Sequence, residues 1–304
     1  MRIIVIGLGV QGKKRSYFSK QDLVATVDPF NPKANFKDIK DVLLTDYDAA
    51  IVCTPDEKKL DILKYLLKNR KHVLIEKPLK LGSNEEIKSI EKIANKNKLV
   101  CYTAYNHRFE PHFVKLKEII KSKVLGKIYS CRMFYGNGTA RLVKDSDWRD
   151  TGTGVLFDLG SHLLDTCKFW FEKLEMNFDL LGSYRHENKS PDHVIISSEN
   201  TFPRIELEMT LCMWKNHFTC DLLAEKGSIH IESLCKWGPA KISIRKRTYP
   251  SGKPTEECTI LVQDDPTWEE EYYHFKRLVS KRALTDLSND IWINNVLLEI
   301  GYKC

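Results

Sequence analysis

The 304-residue sequence contains no run of 18 or more apolar residues, the length a membrane-spanning helix needs. It also lacks the charge excess of a nucleic-acid-binding face, since 48 basic against 41 acidic residues leave +7 spread over the whole length. No two of the nine cysteines are separated by the two-residue gap of zinc and thiol-redox motifs, and an odd number cannot all pair. Cys53 and Cys101 lie inside apolar runs, where a thiol serves as a small buried hydrophobe. Glycine and proline are scarce, at 15 and 11, and neither a low-complexity linker nor an internal repeat is visible. The apolar start Met1–Ile6 is too short for a signal peptide, has no small-residue cleavage site, and gives way to Gln11-Gly12-Lys13-Lys14-Arg15. These absences argue against nucleic-acid and membrane partners and for a reduced, cytoplasmic protein. The length suits one large or two ordinary domains.

Up to about residue 105, apolar runs alternate with amphipathic stretches. Residues 2–9, 23–28, 48–55, 72–78 and 99–106 read as strands. Leu60, Ile62, Leu63, Leu66 and Leu67 mark one face of a helix between the third and fourth strands. Ser83 and Glu86 have capping-box spacing ahead of Ile87, Ile90, Ile93 and Ala94. Strands alternating with helices predict parallel βαβ units, a doubly wound α/β half. The second half differs. Helical patterns at 111–121 and 155–171 precede alternating runs such as Ile205-Glu206-Leu207-Glu208-Met209-Thr210-Leu211, the pattern of a strand with one covered face. Residues 242–247 and 259–262 continue it, and helices are expected at 268–281 and 288–302.

Gly7-Leu8-Gly9-Val10-Gln11-Gly12 follows the first strand and opens a helix. The first glycine permits a tight turn, the second a close approach of pyrophosphate, and the third close packing of helix on strand. Asp28 ends the next strand about 20 residues on, where a carboxylate accepts hydrogen bonds from ribose hydroxyls and repels a 2′-phosphate. Pro29 and Phe30 bring no arginine to offset that repulsion, so NAD is favoured over NADP. The basic runs 13–15 and 245–247 are expected to be solvated faces.

Glu76-Lys77-Pro78 ends the fourth strand, at the edge where ligands of open α/β sheets bind. Farther on, Asp158, His162 and Asp165 stand at i, i+4 and i+7, one face of a helix. A polar stripe on a capped helix and a catalytic cluster fit this spacing equally. No further ligand motif supports a metal, and none is expected. Arg149, after Trp148, suits either an anionic substrate group or a surface ion pair. Tyr135, Arg141, Lys144 and Trp237 are further pocket candidates.

The glycine loop, Glu76-Lys77-Pro78, Tyr105-Asn106-His107-Arg108-Phe109-Glu110-Pro111, Trp148-Arg149 and the run from Gly152 to Asp165 together resemble the Gfo/Idh/MocA oxidoreductase family, in order and over nearly the whole chain. The resemblance implies a Rossmann dinucleotide-binding domain at 1–118. A substrate-binding and oligomerisation α+β domain at 119–304 would follow, with an open, largely antiparallel mixed sheet serving a homodimer or homotetramer. It implies hydride exchange between nicotinamide and a carbinol or keto carbon of a sugar, with a nucleotide-linked sugar in polysaccharide or modified-sugar synthesis preferred. Gly7, Gly9, Val10, Gln11, Gly12, Asp28, Thr54, Pro55, Glu76, Lys77 and Asn106 would then hold the cofactor. Lys77 would bind the reacting oxygen, His162 would be the acid/base, Asp158 would help orient the substrate and the histidine, and Arg149 would complete the substrate contacts. Two features depart from the family. Lys59 stands where many members have a histidine, and the chain is short, which points to trimmed substrate loops. The rival readings are a reductase of an imine or tetrapyrrole, a glycoside-cleaving relative, and a non-catalytic dinucleotide sensor.

Overall fold

The computed structural model describes residues 1–146, 149–172, 177–198 and 202–304. Two compact units emerge, 1–106 with 267–294, and 107–266 with 295–304. The first contains β1 (Ile3–Ile6), α1 (Val10–Ser19), β2 (Leu23–Val27), β3 (Ala49–Val52), α2 (Asp56–Lys68), β4 (His72–Glu76), α3 (Asn84–Lys96) and β5 (Cys101–Ala104). The second carries α4 (Pro111–Ser122), β6 (Ile128–Gly136), α5 (Ala140–Lys144), α6 (Ser161–Phe171), β7 (Phe178–Tyr184), β8 (His193–Ser198), β9 (Arg204–Thr210), β10 (His217–Ala224), β11 (Gly227–Glu232), β12 (Ala240–Thr248) and β13 (Gly252–Leu261). Helix α7 (Thr267–Ser280) belongs to the first unit, and the division falls inside α8 (Ser288–Gly301).

All five strands of the first sheet are parallel, in the order β2-β1-β3-β4-β5. β1 and β3 are apolar throughout and buried on both faces, as parallel strands covered on two sides require. Ile4, Ile6, Ala50 and Val52 pack under Leu63, Leu66, Ile87 and Ile90 of α2 and α3. On the other face Ile3, Val5, Ile51 and Leu74 meet Tyr272 and Phe275. That cover comes from α7, some 160 residues beyond β5, and no local pattern announces which sheet a C-terminal helix covers. Ser83 and Glu86 form the expected capping box: Ser83 Oγ accepts from the Glu86 amide at 3.3 Å, and the Ser83 amide donates to Glu86 Oε2 at 3.1 Å. The strand order reverses at β1 and β3, so the loops after these two strands diverge and leave a crevice at their carboxyl ends.

The second sheet runs β13-β12-β11-β10-β6-β9-β8-β7, antiparallel except at β6–β9. It is the open, mixed and largely antiparallel sheet expected. In β9 the alternation is realised: Ile205, Leu207 and Met209 are fully buried, while Glu206 and Glu208 face Arg132 at 2.9 and 3.3 Å on the other side. Phe113 of α4, Trp170 of α6 and Phe218 of β10 interlock on the covered face, with ring centroids 4.9 and 5.0 Å from Phe113. No helix among the described residues is long and apolar enough to cross a membrane. All nine cysteines are free.

Candidate active site

Gly7 has φ +88°, in the region that favours glycine, and a Cβ there would lie 2.5 Å from the Cys53 carbonyl oxygen. At Gly12 a Cβ would come within 1.8 Å of the Gly7 oxygen, so α1 can begin this close to the loop only with hydrogen at that position. Around Gly9, by contrast, a Cβ would meet nothing within 4 Å. The loop is therefore tight on its inner side and open on its outer side. Helix α1 starts without a side-chain cap or an acidic first turn, which leaves its positive end to whatever occupies the loop. Val10 and Gln11 are exposed there.

Asp28 closes the same crevice. Its Oδ2 accepts from the Leu8 amide at 2.7 Å, and its Oδ1 from Phe30 and Asn31 at 2.9 and 2.8 Å. Burial pushes this carboxyl up, but the three amides outweigh it and hold the group below the usual range. Three of about four acceptor sites are engaged, leaving room for a hydroxyl on Oδ2. At the end of β3, Thr54 Oγ1 is buried with no hydrogen-bond partner among the described residues, and Pro55 caps α2. A glycine cradle, an ionised carboxylate and a hydroxyl lacking a partner fit the pyrophosphate and ribose of a dinucleotide.

The Glu76-Lys77-Pro78 turn lies at the carboxyl edge of the same sheet. Lys77 is half-buried there, and the Glu76 carboxylate accepts from Arg15 Nε at 2.6 Å. Arg15 is 2% exposed, which overturns its reading as part of a solvated basic run; Lys13 and Lys14 are exposed as expected. Its Nη1 lies 2.7 Å from Glu271 Oε2 of α7, close in distance though not aligned as a hydrogen bond, and its guanidinium stacks 4.3 Å from the Trp268 ring. Burial works against this charge, but Glu76 and Glu271 more than offset it and keep Arg15 cationic. Asn106 is buried and donates to Thr267 Oγ1 at 2.7 Å.

In the second unit, His162 lies on α6 just after a π-helical turn over Leu156–Gly160, where a regular α-helix was expected. Such turns are frequent at functional sites. His162 is buried and stacks on the buried His107, with centroids 4.0 Å apart and planes 17° apart. Tyr135 lies 5.4 and 6.1 Å from the two rings, and Trp237 5.6 Å from Tyr135. Lys236 Nζ reaches His107 Nε2 at 3.4 Å and Tyr135 Oη at 3.5 Å. Burial, reinforced by the charges of Asp158, Glu110 and Asp265, raises the Tyr135 phenol and keeps it protonated. Asp158 is partly exposed and faces Arg149 at 3.8 Å, an exposed pairing of little energetic weight. Asp165 is taken by Arg108, with Nε 2.9 Å from Oδ2. Arg141 and Lys144 are exposed on α5, and Trp148 lies outside the described residues. His107, Glu110 and Lys236 escaped the sequence reading as members of this cluster, because His107 meets His162 across 55 residues, Glu110 meets Cys235 across 125 and Lys236 meets His107 across 129.

Glu110 supplies a test of this environment. Burial pushes its carboxyl up to about 7, opposed by the Cys235 amide, which donates to Oε2 at 3.2 Å. The folded chain then holds a proton that the unfolded chain has released. The contribution of Glu110 to stability is full below the ordinary glutamate range and falls as the pH rises to about 7. Glu110→Gln is expected to flatten that stretch of the stability–pH curve in urea unfolding. An unchanged slope between pH 4.5 and 7 would show that Glu110 titrates normally.

Comparison with known proteins agrees with this geometry. Residues 1–105 match the sequence profile described as the GFO_IDH_MocA oxidoreductase family, NAD-binding Rossmann fold, and residues 113–230 match the GFO/IDH/MocA C-terminal domain. An inositol 2-dehydrogenase of Rhizobium meliloti is 25% identical over 124 residues, 41% of this chain and 36% of that protein. A glucose-6-phosphate 3-dehydrogenase of Bacillus subtilis is 29% identical over 159 residues, 51% of this chain and 45% of that one. The aligned chain thus spans less than half the length of either relative. Levoglucosan dehydrogenase in complex with NADH shares the fold over 100% of this chain and 97% of its own, with a TM-score of 0.83 at 16% identity.

Proposed function

Because the chain belongs to the Gfo/Idh/MocA oxidoreductase family and opens with its NAD-binding Rossmann domain, we propose that it transfers a hydride between NAD(H) and a carbinol or keto carbon of a sugar or cyclitol. The observation that carries this reading is the glycine cradle, with Asp28 and Lys77 on the same carboxyl edge of one parallel sheet. The polyol and sugar substrates named for the relatives support the substrate class. Within that class we favour a nucleotide-linked sugar in polysaccharide or modified-sugar synthesis.

Bound NAD would supply the hydride acceptor, and the remaining work falls to side chains. The Lys77 ammonium binds the substrate oxygen and stabilises the alkoxide character that grows as the hydroxyl proton leaves, which the departing hydride then converts to a carbonyl. His162 takes the hydroxyl proton during oxidation and returns it during reduction, the exchange that an imidazole ring nitrogen can make in both directions. The His107 stack holds the His162 ring plane, and Tyr135 remains a donor. Asp158 orients substrate and histidine, with Arg149 beside it.

Purified protein with NAD⁺, screened against myo-inositol, glucose 6-phosphate and UDP-sugars at the NADH absorbance band, is expected to turn over one of these classes. NADH binding without turnover of any of them would move the assignment to a non-sugar acceptor or a sensor. Asp28→Asn is expected to weaken NADH binding about tenfold, the loss of one charge-assisted hydrogen bond, and to narrow the preference over NADPH. An unchanged ratio of the two dissociation constants would remove Asp28 as the ribose ligand.

A further inference from the structure

Lys59 is the fourth residue of α2, yet it is 2% exposed. Its ammonium lies 2.9 Å from the Glu76 carbonyl oxygen, 2.7 Å from the Pro78 carbonyl oxygen and 2.8 Å from Asp56 Oδ1. A lysine ammonium has three donors and no acceptor, so these three contacts exhaust it. The two carbonyls stand on either side of Lys77, one belonging to the residue before it and the other to the residue after it. Lys59 therefore grips the backbone at both ends of the turn that presents Lys77. The side chain of Glu76 is fixed independently by Arg15, so the turn is held from two directions.

Burying an ammonium away from water is costly, and an apolar side chain of similar length would fill the volume at lower cost. A stabilising link between α2 and β4 does not by itself call for a charge. Two backbone carbonyls one residue apart from a lysine at the ligand-binding edge of the sheet do call for a donor with several hydrogens. Asp56, half-buried in the first turn of α2, supplies the balancing negative charge.

We propose that Lys59 is a positioning residue for Lys77, fixing the direction in which the Lys77 side chain leaves the end of β4. The proposal rests on reading Lys77 as the group that binds the reacting oxygen. Among the described residues the polar partners of Lys59 are Glu76, Pro78 and Asp56 rather than the glycine loop or Asp28, so its loss should spare dinucleotide binding and act on the step that depends on Lys77. Misplacing a catalytic group by about 1 Å costs up to roughly a hundredfold in rate.

The test reads the geometry of Lys77 without needing a substrate. NADH-loaded wild type and Lys59→Met are labelled with trace acetic anhydride, and the rate at Lys77 is compared by mass spectrometry with exposed Lys92 and Lys96 on α3. The variant is expected to label at least threefold faster at Lys77, with the reference lysines unchanged and the NADH dissociation constant within about twofold. Turnover of the sugar found in the screen is expected to fall about tenfold or more, and Lys59→Met should add nothing in a Lys77→Ala background. Should Lys59→Met fail to fold, Lys59→Gln keeps two amide donors for the two carbonyls, and an intermediate labelling rate is expected. Unchanged labelling of Lys77 in a folded variant, or an equal loss of turnover with and without Lys77, would overturn the proposal and leave the role of Lys77 intact. Full activity of Lys77→Ala alone would instead overturn that role, whatever Lys59 does.

Discussion

Lys77→Ala and His162→Ala are each expected to lower turnover by about a hundredfold or more while NADH binding stays near wild type. The two losses should differ in kind. Without Lys77 the developing alkoxide loses its electrostatic partner, so kcat falls at every pH. Without His162 the proton has no nearby acceptor, and turnover should recover partly as the pH rises and hydroxide takes over the proton. His162 lies in a packed cluster with His107 and Tyr135, so His162→Gln is the control that keeps more of the volume. Its activity should match that of the alanine variant, since an amide has no useful basicity. Retention of more than a tenth of wild-type turnover by both Lys77→Ala and His162→Ala would remove the catalytic assignment.

Arg15→Met is expected to destabilise the first unit by roughly 3–5 kcal/mol, the usual cost of removing one partner from a buried charge network. Arg15 sits between Glu76 and Glu271, whose side chains are 12% and 0% exposed. The variant leaves two carboxylates facing each other below α1. Either can relieve the repulsion by taking up a proton, so its folded pKa would rise and its penalty would shrink as the pH falls. The deficit in urea unfolding should therefore be smaller at pH 5 than at pH 8. A deficit under about 1 kcal/mol, equal at both pH values, would mean that Arg15 contributes packing alone.

Arg15 also shows where the sequence was opaque. Helix α1 buries Gly12, Arg15 and Ser19, a face built of small residues and one cation, so its hydrophobic periodicity is weak and the run 13–15 reads as surface. Only the residue at the buried position of that run turns inward. The strands of the first sheet were legible because they are apolar on both faces, and the capping box because its two residues are local. In β9 the strict alternation announced the covered face, whereas β6 (Ile-Tyr-Ser-Cys-Arg-Met-Phe-Tyr-Gly) carries apolar residues on both faces and gave no clear period. The return of α7 to the first sheet was hidden for a different reason: periodicity reveals a helix with an apolar stripe but not its partner.

The candidate site divides in the same way. The glycine loop, Asp28 and the Glu76-Lys77-Pro78 turn are contiguous motifs whose chemistry follows from neighbours in the chain. The His107–His162 stack, the Lys236 contacts and the capture of Asp165 by Arg108 join residues 55 or more positions apart, and only the folded chain brings them together. Asp158, His162 and Asp165 share a helical stretch as expected, but the π-helical turn and Arg108 give the two carboxylates different surroundings. One is partly exposed beside Arg149, and the other is buried in an ion pair.

The most direct test of the account is a fluorescence titration of the folded protein with NADH and with NADPH, after any nucleotide it retains has been released and identified. The account predicts saturable binding of one NADH per chain, tighter than NADPH, and NAD(H) as the retained species. A folded protein that releases no nucleotide and shows no saturable binding of either dinucleotide would contradict it at its foundation.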